Sequence, residues 1–241
     1  MRPPPITRRP RAPAFIFDVD GVLLASPHER AWREALAGFA DPRPFTTALY
    51  QAQVAGKARI DGARAALAAL GLPDTDRLVS AYADAKQRCL ERIVAAEGVT
   101  AFPDALRFVR ALADRGWPLA AASSSKNAEA MMRAVPLSPD RTLLDAFAAR
   151  ICGRALRHGK PDPEIFLLAA AELRVVPARC FVAEDAPVGI RAAKAGGMTA
   201  IGIARLGDAD GLRAAGADRV VTSFDEICIA HIAPPSSGDA A

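Results

Sequence analysis

Short apolar runs recur along the chain, and the strongest of them end at polar side chains. Their lengths match those of buried β-strands and are too short for ordinary helices. We therefore predict a strand for each run. The runs are residues 14–17 before Asp18, 119–122 before Ser123, 180–183 before Glu184 and Asp185, and the weaker runs 199–203 and 219–221.

Segments with helical spacing of apolar residues lie between these runs. Leu106, Val109 and Leu112, for example, fall on one face of a helix predicted over residues 104–115. Strands that alternate with helices favour a parallel α/β sheet with helices on its faces. The other helices predicted between the strands cover residues 126–135, 163–173 and 186–195.

Residues 26–100 have a different pattern, with helical spacing and no strand-like run. We predict four helices there, over residues 29–39, 45–54, 61–70 and 76–96. An all-helical block after the first strand indicates a helical domain inserted above the sheet. The predicted organisation is a flexible leader (1–13), a core domain (14–25 and 101–233), an inserted helical domain (26–100) and a flexible tail (234–241).

The composition is that of an ordinary globular protein. Of the 241 residues, 51% are hydrophobic and 24% are charged, which argues against disorder across the chain. The sequence has no long uncharged apolar run, so we predict neither a membrane span nor a membrane partner. The net charge is only +4, and without a basic stripe interleaved with aromatic residues we expect no nucleic-acid partner. We expect a cytoplasmic protein, because the leader lacks the apolar core of a signal peptide. We take a monomer as the default oligomeric state.

Asp18 and Asp20 leave the first predicted strand two positions apart, and Gly21 allows a sharp turn directly after them. Like charges this close repel each other and raise a carboxyl pKa unless a cation neutralises them. A hard divalent ion with oxygen ligands, such as Mg²⁺, is the natural partner. The alternative is a surface turn with two solvated acids.

Candidate anion-binding groups follow in two places. Residues 123–127, Ser-Ser-Ser-Lys-Asn, supply hydroxyl and backbone N–H groups where a strand ends and a helix begins. An ordinary helix N-cap is the alternative for these serines. Lys160 precedes a helix that starts near Pro163, and it can place a positive charge beside a phosphate. A solvated surface lysine is the alternative there.

Glu184 and Asp185 directly follow the apolar run 180–183. Two acids at the end of a buried strand are costly unless they are paired or bind a metal ion. A metal site and a helix N-cap at Asp185 both remain open. Because ligands bind at the carboxyl ends of parallel strands, we expect these acids to meet Asp18 and Ser123 at one edge of the sheet.

Taken in this order, the four motifs resemble the haloacid dehalogenase (HAD) superfamily. The resemblance covers residues 14–229, and the helical insertion is similar to the superfamily's C1-type cap. It implies an α/β fold, with a Rossmann-like parallel sheet flanked by helices and an inserted all-helical cap domain. The matching segments are Phe17-Asp18-Val19-Asp20-Gly21-Val22-Leu23, Ser123, Lys160-Pro161-Asp162-Pro163-Glu164-Ile165-Phe166 and Glu184-Asp185-Ala186-Pro187-Val188-Gly189-Ile190.

The resemblance implies a role for each motif residue. Asp18 is expected to be the nucleophile that forms an aspartyl phosphate, and Asp20 the general acid that protonates the leaving oxygen. Ser123, Ser124 and Lys160 are expected to bind the phosphoryl oxygens. The expected Mg²⁺ ligands are Asp18, Asp20 through its carbonyl, Asp185, and Glu184 directly or through water.

Within the superfamily, the details resemble the β-phosphoglucomutase group. Residues 123–127 are similar to that group's Ser-Ala-Ser-Lys-Asn, with Ser124 in place of alanine. The resemblance implies three substrate contacts in the cap: Arg59 on a distal phosphate, Lys86 facing a phosphate, and His28 gating the acid/base aspartate. The segment that holds His28 is shorter than in that group, so its equivalence depends on register. The alternatives are a surface arginine at a helix start, a solvated lysine, and a helix residue without a catalytic role.

We therefore predict a Mg²⁺-dependent phosphatase that hydrolyses a small phosphorylated metabolite, a sugar phosphate, through an aspartyl-phosphate intermediate. The alternative is a β-phosphoglucomutase-type isomerase, in which a substrate hydroxyl instead of water attacks the phosphoenzyme. A haloacid dehalogenase, which would need neither Asp20 nor a metal ion, is a remote alternative. A catalytically dead binding protein is another.

Overall fold

Six parallel strands form the main sheet of this protein, described by a computed structural model over residues 13–232. The predicted α/β fold with a parallel sheet is therefore confirmed, and each of the five predicted strands is present. The predicted tail and all of the predicted leader except Pro13 lie outside the described residues. In spatial order the strands are Arg219–Val221 (β10), Thr199–Ile203 (β9), Cys180–Glu184 (β8), Ala14–Phe17 (β1), Leu119–Ser123 (β4) and Ala149–Cys152 (β7).

Strand β7 has no counterpart among the strands predicted from apolar runs, because it is an edge strand with one face partly exposed to solvent. Its residues alternate between buried Ala149 and Ile151 and the more exposed Arg150 and Cys152, so it contains no continuous apolar run. It pairs only with β4 among the strands of the main sheet. Prediction from apolar runs favours strands that are buried on both faces.

Two short antiparallel pairs complete the β-structure of the described residues. Leu24–Ala25 (β2) pairs with Thr100–Ala101 (β3), and Pro136–Ser138 (β5) pairs with Arg141–Thr142 (β6). The β2–β3 pair joins the two ends of the helical insertion. The chain therefore leaves the sheet and returns to it at one place.

The α-helices either cover the sheet or build the insertion, and their ends differ from the predicted ends by a few residues. Those of the insertion are His28–Leu36 (α1), Thr47–Leu49 (α2), Arg59–Ala69 (α3) and Asp76–Glu97 (α4). Those that cover the sheet are Pro103–Asp114 (α5), Ala128–Arg133 (α6), Glu164–Leu173 (α7), Pro187–Ala195 (α8) and Ala209–Ala214 (α9).

The helix predicted over residues 45–54 is wrong in type. The structure has the single turn α2, followed by a π-helical segment at Tyr50–Val54. The Ala55 N–H donates to the Tyr50 carbonyl at 2.9 Å, five residues back. Segments of this kind are frequent at functional sites because they change the direction in which side chains project.

Side chains of β1 alternate between two hydrophobic cores, one on each face of the sheet. Phe15 and Phe17 point into the core that contains Phe108 of α5, and the Phe15 and Phe108 rings lie 5.2 Å apart in an edge-on contact. Ala14 and Ile16 point into the core on the other face, against α7 and α8. Burial on both faces explains why β1 is a continuous apolar run.

The insertion has a hydrophobic core of its own. Trp32 of α1 and Tyr82 of α4 pack together with ring centroids 5.1 Å apart, and the Tyr82 hydroxyl donates to the Trp32 carbonyl at 2.9 Å. Leu36 and Leu67 complete the centre of this cluster. Within residues 13–232, no helix is both long enough and apolar enough to cross a membrane.

Candidate active site

The polar ends of three adjacent strands meet at the carboxyl edge of the sheet. Strand β1 lies between β4 and β8, so Asp18, which follows β1, stands between Ser123 of β4 and Glu184 of β8. The Asp18 backbone N–H donates to the Ala183 carbonyl at 3.0 Å, which fixes where its side chain starts. The predicted convergence of these residues is therefore confirmed at the level of the backbone.

Lys160 occupies the space between the two carboxylates. Its ammonium donates to Asp18 Oδ1 at 2.6 Å and to Glu184 Oε1 at 2.5 Å. All three side chains are buried, and the ammonium also lies 5.0 Å from the centre of the Phe166 ring. Burial alone would lower the pKa of Lys160, but Asp18 and Glu184 outweigh it and hold that pKa above its ordinary value. Lys160 is therefore a fixed positive charge and not the solvated lysine of the alternative reading.

Asp18 is poised to change its protonation state. Burial raises its pKa to about 7, Glu184 and Asp20 add to the shift, and Lys160 opposes it. A buried carboxylate with this much neighbouring negative charge calls for an additional cation.

Both oxygens of Glu184 are engaged. Oε1 accepts from Lys160, and Oε2 accepts from the Ala186 backbone N–H at 3.0 Å. The side chain lies against Gly189, where a β-carbon would approach Glu184 Cγ to 2.6 Å and the carboxylate still more closely. The absence of a side chain at Gly189 therefore gives Glu184 its space.

Gly21 has the same role for Asp185. It has a φ of +82°, a conformation that favours glycine, and its N–H donates to the Leu24 carbonyl at 2.9 Å. A β-carbon on Gly21 would lie 2.6 Å from Asp185 Cγ. The turn that follows Asp18 and Asp20 is thus packed directly against the Asp185 carboxylate, which makes the solvated surface turn wrong.

Asp20 faces Ser123 on one side and the helical insertion on the other. The Ser123 hydroxyl donates to Asp20 Oδ2 at 3.3 Å, and the Ser125 backbone N–H donates to the Ser123 hydroxyl at 3.0 Å. His28 Nε2 lies 3.4 Å from Asp20 Oδ1. Within residues 13–232 neither of these last two atoms has a well-formed hydrogen bond, so the contact is long.

Lys86 is buried and holds the other side of the His28 ring. Its ammonium lies 2.9 Å from His28 Nδ1 and 5.1 Å from the centre of the Trp32 ring. The solvated-lysine alternative is therefore wrong. Burial lowers the pKa of His28 to about 4, and lowers that of Lys86 to about 8. A neutral His28 that accepts at Nδ1 carries its proton on Nε2, directed at Asp20.

A cavity of about 240 Å³ opens over these residues, between the carboxyl edge of the sheet and the insertion. Lys160 and Glu184 lie beneath it and do not line it. Its basic rim is larger than the sequence predicted, because Lys57 and Arg154 also line it and no role was predicted for either; Lys126 was named only as part of the segment 123–127. The predicted site residues that do line it are Asp18, Asp20, His28, Arg59, Lys86, Ser123, Ser124 and Asp185.

The insertion touches the sheet domain around the mouth of this cavity. The Ser124 hydroxyl donates to the Gly56 carbonyl at 3.1 Å, and Gln87 and Asn127 exchange amide hydrogen bonds at 3.0 and 3.3 Å. Gly56 has a φ of +75°, and a β-carbon there would lie 3.0 Å from Val188. Gln87, for which the sequence predicted no role, therefore bridges to Asn127 of the predicted segment 123–127, and this contact depends on pairing across 40 positions.

The carboxylates fit a hard divalent cation. Burial raises the pKa of Asp185 well above its ordinary value, and Glu184 and Asp18 add to the shift. Asp18, Asp20 and Asp185 all border the cavity, and oxygen donors are what Mg²⁺ prefers. Within residues 13–232, no group of three or more His, Cys, Asp or Glu side chains is already arranged to hold a metal ion. Asp18 and Asp185, which border the cavity and whose pKa values burial raises, are the side chains that suit a divalent cation.

Comparison with known proteins finds relatives along most of the chain. The family model for haloacid dehalogenase-like hydrolase matches residues 12–197. A β-phosphoglucomutase of Mycobacterium tuberculosis is 34% identical over 244 residues, covering 89% of this chain and 90% of that protein. A phosphorylated carbohydrates phosphatase of Thermotoga maritima is 32% identical over 214 residues, covering 86% and 93%. Among solved structures, the β-phosphoglucomutase from Clostridium difficile has a TM-score of 0.75 at 25% identity, over 92% of this chain and 95% of that one.

Proposed function

We propose that this chain, an enzyme that belongs to the haloacid dehalogenase-like hydrolase family, is a Mg²⁺-dependent phosphatase of a small sugar phosphate. The observation that carries the proposal is the pairing of buried Asp18 with Lys160 beneath a cavity that Asp20 also lines. Relatives named as a phosphatase of phosphorylated carbohydrates and as β-phosphoglucomutases support phosphorylated sugars as the substrate class.

Asp18 would act as the nucleophile. One of its oxygens attacks phosphorus, the bond from phosphorus to the ester oxygen breaks, and Asp20 gives its proton to that oxygen. In the second half, Asp20 takes a proton from water as the water attacks the aspartyl phosphate, which restores Asp18 and releases phosphate. The 3.3 Å contact from Ser123 to Asp20 supports this assignment, because the phosphate ligand and the acid then border the same small volume.

Ser123 and Ser124 line the cavity and would bind the phosphoryl oxygens, while Lys160 would offset their charge from beneath, through its contact with Asp18. Phosphoryl transfer depends mainly on positioning and on neutralising spread negative charge. Lys160 supplies a positive charge that burial cannot remove, since two carboxylates stabilise it. Asp18, Asp185 and the Asp20 carbonyl would hold Mg²⁺, with Glu184 acting through Lys160 and the backbone. The ion supplies further neutralisation of charge when it is bound.

The helical insertion would serve as a cap that selects the substrate. Arg59 and Lys86 line the cavity from this side, and Lys57 adds to their charge. Such a rim suits a substrate with a second anionic group at a distance from the reacting phosphate. His28, held by Lys86 and directed at Asp20, would orient the general acid.

A β-phosphoglucomutase-type isomerase is the second candidate function. The contact from His28 to Asp20 favours it. An isomerase has to keep the phosphoenzyme from water until a sugar hydroxyl arrives, and a histidine that holds Asp20 would keep this base from activating water in the meantime. The 34% identical mycobacterial relative is itself named as such an enzyme. The two candidates share every step up to the aspartyl phosphate.

The test is a phosphate-release screen on sugar phosphates with Mg²⁺, run beside a coupled assay for glucose 6-phosphate formed from β-glucose 1-phosphate. We expect phosphate release from at least one ester, and loss of that activity in D18N and on chelation. D84N, at an exposed aspartate of α4 that does not line the cavity, is the matched control. More than a few per cent of activity in D18N would contradict the covalent mechanism. Glucose 6-phosphate without phosphate release would identify the isomerase.

A further inference from the structure

A second cavity, of about 350 Å³, lies beside the first. The two share Asp20, Tyr50 and Asp185 among their lining residues, so the two spaces adjoin at these three residues. The phosphate-binding residues Ser123 and Ser124 line only the first cavity. The second is bordered on the sheet side by the loop after β9, which contains Arg205 and Asp208, and on the insertion side by Glu29 and Gln51.

The walls of this second cavity carry an excess of negative charge. Asp20, Glu29, Asp185 and Asp208 line it, against one basic residue, Arg205; Glu29 is already paired with Arg33, so the excess comes from the three aspartates. Arg205 is already engaged: its guanidinium donates to an Asp104 carboxylate oxygen at 3.1 Å and to the Val22 carbonyl at 3.2 Å, and it stacks 3.8 Å from the centre of the Phe102 ring. A phosphate group is therefore excluded from this space, and a cation is favoured.

Unpaired hydrogen-bond acceptors show what kind of group the cavity holds. Gln51 is 8% exposed, and over residues 13–232 its Oε1 has no hydrogen-bond partner, nor has the buried Oδ1 of Asp208. Leaving a buried acceptor unpaired costs about 1–3 kcal/mol. Donors must therefore enter the cavity. The unpaired Arg205 Nε indicates that water is part of its content.

We propose that this cavity holds the outer water shell of the divalent cation bound by Asp18 and Asp185, with Asp208 and Gln51 as acceptors for the cation's water molecules. The proposal rests on the metal dependence in the proposed function. It gives a function to a cavity that Asp185 lines and that Ser123 and Ser124 do not, and it assigns a role to Asp208, Gln51 and the π-helical segment.

The chemistry of Mg²⁺ explains why such a shell is needed. The ion requires six oxygen ligands and gives up its water reluctantly, and the proposed site supplies three of them: Asp18, Asp185 and the Asp20 carbonyl. The remaining ligands are water molecules. Each turns its oxygen toward the cation, so its O–H groups point outward as hydrogen-bond donors. They need acceptors in the protein, and outer-shell acceptors typically contribute a factor of about 10–100 to metal affinity. Asp208 adds negative charge, whereas the amide oxygen of Gln51 adds only an acceptor.

The test measures cation binding directly, with Mn²⁺ as the probe and the free-ion paramagnetic resonance signal as the readout, on the full chain without substrate. We expect D208N and Q51L each to raise the Mn²⁺ dissociation constant about 10-fold. Q51E, which keeps the acceptor and adds a charge, should bind Mn²⁺ at least as tightly as the wild type. D210N is the matched control, because Asp210 is exposed two positions further on and pairs with Arg213 at 2.9 Å; it should not change the constant.

Each outcome decides the matter. Unchanged Mn²⁺ affinity in both D208N and Q51L would overturn the proposal and leave the cavity as a water-filled space, while the proposed metal dependence would stand. Weaker binding in Q51E as well as Q51L would mean that Gln51 supports the fold of the insertion, and D208N alone would then carry the test. No Mn²⁺ binding by the wild type would overturn both this proposal and the metal dependence. Thermal unfolding in chelator checks that each variant is folded.

Discussion

Gly189 offers a test of the site in which no catalytic group is removed. In G189A the new β-carbon would lie 2.6 Å from Glu184 Cγ. The nearest atoms, Oε1 and Cδ of Glu184, would be closer still; because carbon atoms pack at about 3.5–4.0 Å, the Glu184 carboxylate has to move by roughly 1.5–2 Å. Glu184 is fully buried and cannot turn into solvent. Its movement draws Lys160 away from Asp18, and a misplacement of this size costs about 100-fold in rate.

The effect on stability should be modest, because two opposing contributions partly cancel. Alanine in a helix is favoured over glycine by up to about 1 kcal/mol, whereas overpacking a buried site costs about 1–3 kcal/mol. We therefore expect G189A to be destabilised by about 0–2 kcal/mol. G211A is the matched control, because a β-carbon at this helical glycine of α9 meets only Pro187 at 3.7 Å. It should be slightly stabilised and fully active.

The assay is hydrolysis of p-nitrophenyl phosphate at saturating Mg²⁺, with urea unfolding measured on the same preparations. The expected result is a loss of about 100-fold in kcat/KM for G189A and none for G211A. Wild-type activity in G189A would refute the reasoning, since Glu184 would then not occupy the space against residue 189. If G189A does not fold at the assay temperature, the same variant is assayed beside G211A at a lower temperature at which urea unfolding shows it to be folded.

Three further predictions concern single side chains. The folded-state pKa of Asp18 is raised to about 7, so its contribution to stability is complete below its unfolded pKa near 3.8 and is lost as pH rises through 7. In urea unfolding without divalent cations, the free energy of unfolding of the wild type should therefore fall by a few kcal/mol relative to that of D18N between pH 4 and pH 8. The same pH dependence of unfolding free energy in both proteins would contradict this. R59A should lose about 10- to 150-fold in kcat/KM on the best sugar phosphate, the range for a charged hydrogen bond, and clearly less on p-nitrophenyl phosphate; equal losses on both would make Arg59 a structural residue. K86M, which leaves His28 Nδ1 without its partner, should lower kcat about 10- to 100-fold on both substrates, and unchanged kcat in steady-state assays would separate His28 from catalysis.

The sequence alone was sufficient for five of the six strands of the main sheet and for the edge at which the site lies. Runs such as residues 14–17 and 180–183 are apolar because their strands are buried on both faces, which makes them visible without a structure. The carboxyl ends of parallel strands share one edge, so Asp18, Ser123 and Glu184 could be placed together before any distance was known. The edge strand β7 was missed for the same reason, because its wet face interrupts the apolar run.

Only the tertiary structure decided which charged groups meet. Lys160 lies 142 positions from Asp18 and 24 from Glu184, and Lys86 lies 58 positions from His28. No local pattern encodes such pairs, since the sequence spacing of two side chains says nothing of their separation once a helix or a crossover lies between them. The same holds for the unpaired acceptor of Gln51. Whether a polar side chain is solvated, paired or left facing a cavity depends on what the rest of the chain packs around it, and that packing exists only in the folded protein.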